Sequence, residues 1–139
     1  MGDLSCQQKK IRGLFVVFFN EYNKGKAAAM AVIDRSIDMR GDLKDFKQME
    51  SEAFDAFPDM HVTIDDMVAE GDKVAMRVTM TGTHKGEFMG IPPTNKKVTF
   101  SLIAIDRFAG GKIVEDHGQF DALGLMRQLG LVPTPKKEK

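Results

Sequence analysis

The stretch Ile113-Val114-Glu115-Asp116-His117-Gly118-Gln119-Phe120-Asp121-Ala122-Leu123-Gly124-Leu125-Met126-Arg127-Gln128-Leu129-Gly130 begins as a strand and ends as a helix. In the strand half, Ile113, Glu115, His117, Gln119 and Asp121 share one parity and are expected on one face of a sheet. His117, Gln119 and Asp121 are side chains suited to acid–base and hydrogen-bonding chemistry. They form a site if that face lines a cavity, and ordinary surface if it meets water.

Working back from this stretch, Ala109-Gly110-Gly111 is a turn, and Lys97 to Phe108 reads as the strand that enters it. Val74, Met76, Val78 and Met80 alternate with Ala75, Arg77, Thr79 and Thr81, which predicts a strand with that first set buried. His84 has the parity of the buried set. Met60, Val62 and Ile64 alternate in the same way and predict a strand that runs to about Ala69. Lys85 to Lys96, with Gly86, Gly90, Pro92 and Pro93, is a loop, and Phe88, Met89 and Ile91 make it unusually apolar. Such residues tuck under a loop or cover a cavity mouth.

Before Pro58 the period is helical. Ser5 with Gln8 makes a capping box for a helix to Tyr22, whose stripe is Ile11, Leu14, Phe15, Phe18, Phe19 and Tyr22. Asn23-Lys24-Gly25 stops it. Lys26 to Ile33 predicts a second, short helix, and residues 34–41 read as a brief strand or an extended connection. Asp42 is placed as the N-cap of a third helix whose stripe includes Leu43, Phe46, Met49, Ala53, Phe54 and Phe57, and Pro58 ends it. Three helices followed by four consecutive strands predict an α+β domain over residues 1–132. A charged tail over 133–139 is expected to be disordered.

The chain has 139 residues, enough for one domain with a real core. Twenty basic and twenty acidic residues cancel, which removes the electrostatic case for nucleic acid or an anionic membrane as partner. One cysteine, Cys6, rules out an internal disulfide framework and a Cys-based zinc site. The longest apolar run, Leu14 to Phe19, is too short to span a bilayer, and charged and polar residues occupy the first ten positions. A cytoplasmic location is the expectation.

The motifs resemble a known family. They are Ala56-Phe57-Pro58-Asp59, Glu70-Gly71-Asp72-Lys73-Val74-Ala75, Thr81-Gly82-Thr83-His84-Lys85-Gly86, Phe88-Met89-Gly90-Ile91-Pro92-Pro93-Thr94, Gly111-Lys112-Ile113-Val114-Glu115, and Asp121-Ala122-Leu123-Gly124-Leu125 leading into Gln128-Leu129-Gly130. In this order and spacing they resemble the SnoaL-like polyketide cyclase, or ester cyclase, family. The match is good from about Ala53 to Pro133.

The resemblance implies a cone-shaped fold of the nuclear transport factor 2 type (NTF2-like). A curved antiparallel sheet wraps a long helix and leaves an apolar pocket. The resemblance also implies homodimers paired through the sheet, and an aldol ring closure that uses neither metal nor cofactor. In the family an aspartate that looks equivalent to Asp121 is general acid and base. This chain departs from the family pattern in two places. His117 stands where a bulky Trp is usual, and Ser36-Ile37-Asp38-Met39-Arg40 lacks a His that is often present there.

The candidate residues follow. Asp121, with His117, is the catalytic pair for proton transfer, although Asp121 also stands where a helix N-cap would. Gln119 could donate to a substrate oxygen or lie exposed. His84 suits a pocket rim or a turn held by hydrogen bonds. Asp106 shares parity with Phe100, Leu102, Ala104 and Phe108. A carboxylate on such a face is either paired, with Arg77 or Arg107 at hand, or functional. Phe88 and Met89 are candidates for substrate contact. His84, His117 and Asp121 match no metal motif. Two functions follow: a cofactor-independent cyclase or isomerase acting on a small hydrophobic carbonyl compound, or a non-catalytic module for ligand binding or dimerisation.

Overall fold

The computed structural model describes residues 6–39 and 41–133. Its elements are α1 (Cys6–Tyr22), α2 (Lys26–Ser36), α3 (Leu43–Ala56), β1 (His61–Glu70), β2 (Lys73–Thr83), β3 (Lys97–Ala109), β4 (Lys112–Phe120) and α4 (Ala122–Gln128). The strands form one sheet in the order β1-β2-β3-β4, and every pair is antiparallel. Three helices, then a four-strand antiparallel meander, are what the change of period at Pro58 predicts.

The helices lie against one face of the sheet. On α1, Ile11, Phe15, Phe18 and Tyr22 are buried, at spacings that place them on one stripe. Phe15 meets Phe108 of β3 edge-on, with ring centroids 5.1 Å apart. Tyr22 meets Phe54 of α3 at 5.0 Å. Each such phenylalanine contributes about 2–3 kcal/mol by leaving water. Asn23, read from sequence only as part of a stop, also ties the helices to β1. Its amide donates to the Val62 carbonyl at 2.8 Å and accepts from the Val62 N–H at 2.7 Å.

Three local readings are corrected. The second helix runs on to Ser36, and the expected brief strand shrinks to a single parallel bridge between Ile37 and Ile113. Asp42 precedes α3, but its side chain makes no capping hydrogen bond. Met49 is exposed, because α3 is turned so that Glu50 faces inward and meets Tyr22. The capping box at Ser5 and the tail from Thr134 onward lie outside the described residues. Among the described residues, no helix is long and apolar enough to cross a membrane.

Two bulges interrupt the ladders. The β1–β2 register shifts between Ile64 and Asp66. In the β3–β4 ladder Phe108 faces Ile113 but Arg107 faces Glu115, so Val114 is an extra residue in β4. A bulge reverses the parity of everything beyond it.

Candidate functional site

The bulge at Val114 decides which side chains of β4 meet the helices. Beyond it, Asp116, Gly118 and Phe120 stand opposite Asp106, Ala104 and Leu102, so they take the inner face with those β3 residues. Glu115, His117 and Gln119 take the outer face. The expectation that His117, Gln119 and Asp121 line a cavity is therefore corrected. The His117 side chain is 78% exposed and lies 4.0 Å from Glu115. It reaches only the rim of a shallow groove at the β4 edge, which Met39, Asp42 and Asp116 also border. Gln119 is exposed.

Asp121 is the N-cap of α4. Its Oδ1 accepts the Gly124 N–H at 2.9 Å, and the residue is exposed. Gly124 belongs to the same device, because a Cβ there would sit 2.1 Å from the other oxygen of Asp121. The strand-to-helix junction thus needs aspartate and glycine together for a local reason.

His84 is fully buried but lies outside the cavity lining. Its Nδ1 accepts the Thr94 N–H at 3.2 Å and lies 3.0 Å from the Thr94 hydroxyl. Its backbone carbonyl accepts from Asn95. It pins the two ends of the loop together. Gly86 lies where this loop crosses the end of α3, and a Cβ there would come within 2.3 Å of the Asp55 carbonyl oxygen.

Asp106 is 3% exposed. The arginine partners expected for it are engaged elsewhere: Arg107 holds Glu115 at 2.8 Å, and Arg77 approaches Asp65 at 3.7 Å. What Asp106 meets is Asp116, directly across the ladder. Burial first, and then the neighbouring Asp116 carboxyl, push Asp106 up to about 9. It therefore keeps its proton at neutral pH, where that proton can bridge to Asp116. The other oxygen of Asp106, Oδ1, has no hydrogen-bond partner.

The cavity lies between α3, the inner sheet face and the loop after β2. Its volume is about 710 Å³, and its wall includes Phe57, Met60, Met80, Phe100, Leu102 and Phe120. Phe88 and Met89 border it, as expected. They form the tip of a tight hairpin closed by a bridge between Phe88 and Ile91. Met89, with φ at 51°, holds a left-handed conformation that a non-glycine residue adopts at some cost.

One polar group on this wall stands apart from the rim. Glu50 lines the cavity and accepts a hydrogen bond from the buried Tyr22 hydroxyl. Burial pushes the Glu50 carboxyl up. The Tyr22 hydrogen bond opposes that shift, and the Asp116 charge adds to it. Burial also raises the Tyr22 phenol, with the Glu50 charge and the hydrogen bond acting in the same direction. The sequence reading passed over Glu50, Tyr22 and Asp116. Glu50 could have been found, since it lies four residues from both Phe46 and Phe54 and so falls inside the apolar stripe of α3. Asp116 could not, because only the bulge turns it inward. Among the described residues, no group of three His, Cys, Asp or Glu side chains is placed to hold a metal ion.

A family model described as SnoaL-like polyketide cyclase matches residues 24–129. No curated protein sequence matches the chain. Among solved structures, AclR from Streptomyces galilaeus, named as a candidate hydroxylase, is 27% identical with a TM-score of 0.84, over 94% of this chain and 91% of that one. A candidate polyketide cyclase from Acidithiobacillus ferrooxidans is 25% identical with a TM-score of 0.74, over 91% and 98%. A candidate SnoaL-like polyketide cyclase from Jannaschia sp. CCS1 is 20% identical with a TM-score of 0.82, over 96% and 100%, and speaks for the fold alone.

Proposed function

We propose, from the premise that this chain belongs to the SnoaL-like polyketide cyclase family, that it performs cofactor-independent proton transfer on a small hydrophobic carbonyl compound, with Glu50 as acid and base. The observation that carries this reading is the Glu50 carboxyl on the wall of an apolar cavity, hydrogen-bonded by Tyr22. A carboxylate whose charged form is disfavoured by burial is a stronger base than one in water, and Tyr22 holds it in one orientation. Ionised Glu50 takes a proton from the carbon beside a carbonyl, leaving an enolate. That carbon forms a bond to a second carbonyl of the same molecule, and the protonated Glu50 returns the proton to the new alkoxide. No electron acceptor is needed, and the atoms balance within one substrate and one carboxyl.

The test is deuterium exchange into 2-tetralone, an enolisable ketone, followed by NMR. The wild-type protein should accelerate exchange. Glu50→Gln should reduce the acceleration by on the order of a hundredfold or more, and Asp121→Asn should leave it intact. Equal exchange by the wild type and Glu50→Gln would remove Glu50 from the chemistry. Binding of the ketone without any acceleration would favour the binding-module reading.

We further propose that the outer sheet face forms a homodimer. Ile103 and Ile105 are 57% and 50% exposed there, between Thr99, Ser101 and Arg107, and an apolar strip of this kind finds a partner in many proteins. Sedimentation at micromolar concentration should give a dimer, and Ile103→Lys with Ile105→Lys should give a monomer. A wild-type monomer would overturn the proposal.

A further inference from the structure

The chain as a whole carries no net charge, but the lining of the cavity is one-signed. Glu50, Glu52, Asp55 and Glu87 border it, and no lysine, arginine or histidine does. These carboxyls stand in an otherwise apolar surface of four phenylalanines and four methionines. The rim acids are not all neutralised. Asp55 is held by Lys26 at 2.6 Å, on the side away from the lining, while Glu52 accepts only from the neutral amide of Gln48. Glu52 and Glu87 are exposed at the mouth. A cleft of one sign with low-dielectric walls concentrates ions of the other sign and repels its own. Aromatic faces and polarisable thioethers beside it are the surfaces on which a desolvated organic cation is best held.

We propose that this cavity selects a hydrophobic carbonyl compound bearing an ammonium group, and rejects free carboxylates and phosphate-bearing carriers. The inference rests on the cavity reading above and names the charge of what enters. The apolar body packs among Phe57, Phe100 and Phe120, and the cationic end lies at the mouth between Glu52, Glu87 and the ring of Phe88. A carboxylate in the same place would meet like charge at the rim and no basic side chain on the wall. The cost of burying it would then have nothing to offset it. Met89, 70% exposed at the hairpin tip, adds a thioether to the rim at the point where the ammonium methyl groups would pass.

The test uses three 2-tetralones that differ only in the group at carbon 6: trimethylammoniomethyl, its uncharged isostere neopentyl, and carboxymethyl. Binding is measured by titration calorimetry at low and high salt. The ammonium compound should bind at least tenfold more tightly than the neopentyl compound at low salt, and the carboxymethyl compound should bind most weakly. The double variant Glu52→Gln, Glu87→Gln should bring the first two within about twofold, as should high salt. Both substituted residues are exposed, and a thermal melt matching the wild type confirms folding.

Equal or tighter binding of the neopentyl or carboxymethyl compound by the wild type overturns the charge preference and leaves the cavity reading standing. A preference that survives the double variant overturns the role of the rim. Failure of all three to bind overturns the cavity as a ligand site, and the proposal with it. The exchange assay with unsubstituted 2-tetralone remains a separate judgement on Glu50, because that probe carries no charge.

Discussion

The two faces of the β3–β4 hairpin carry similar numbers of polar residues and treat them in opposite ways. On the inner face Asp106 and Asp116 stand opposite each other. Asp106 is buried, without a cation and with one oxygen unpartnered. On the outer face Arg107 and Glu115 stand opposite each other as an ordinary ion pair at 2.8 Å. Water solvates the outer pair, so its charges cost little and contribute little. The inner pair has no such solvent, and the only way to lower its energy is to keep a proton. Adjacent positions on one strand thus hold an acid that titrates near 9 and a carboxylate lowered by its arginine.

The strongest way to break the comparison is to add a charge to each face. Val78 is buried on the inner face of β2, and its neighbour Arg77 points out. Val78→Asp should cost about 3–5 kcal/mol, because it buries a carboxylate without a partner. Arg77→Ala should stay within about 0.5 kcal/mol. Denaturant unfolding of both variants checks this, and comparable losses would erase the distinction between the faces.

A smaller effect is expected from removing the inner proton site. Folded Asp106 holds its proton to about 9, whereas an ordinary aspartate ionises near 3.8. Between those values the folded state binds the extra proton, so stability from this group falls as pH rises across the window and levels off above it. Asp106→Asn should remove that slope and raise stability at pH 8 by at least about 1 kcal/mol. Glu115→Gln on the outer face should change little. Melting temperatures from pH 5 to pH 9 would sharpen the contrast, and an unchanged slope in Asp106→Asn would refute the burial argument.

The smallest effect concerns Asp121, which belongs to neither face. As a cap it should cost about 1 kcal/mol when changed to Ala and almost nothing when changed to Asn. Thermal unfolding of the two variants decides this. A large loss with Asn would mean that its charge does more than hold the Gly124 N–H.

By itself the sequence determined the architecture. Pro58, the alternation of Val74, Met76, Val78 and Met80, and the glycine turn after Phe108 are local signals. Helix and strand periods report faithfully on which residues turn away from water together. Motifs in a fixed order carried the family, and the apolar loop with Phe88 and Met89 announced a cavity mouth. What the sequence could not decide was which side of the last strand faces in. Parity counts residues, and one extra residue at Val114 reverses it, exchanging His117 and Gln119 for Asp116 and Gly118. Whether a β4 residue bulges depends on how Phe108 and Ile113 pack together and on Ile37 bridging to Ile113, contacts between elements far apart in the chain. For the same reason only tertiary structure joined Tyr22 to Glu50 and Asp106 to Asp116, since a carboxyl acquires its chemistry from the neighbours that deny it water.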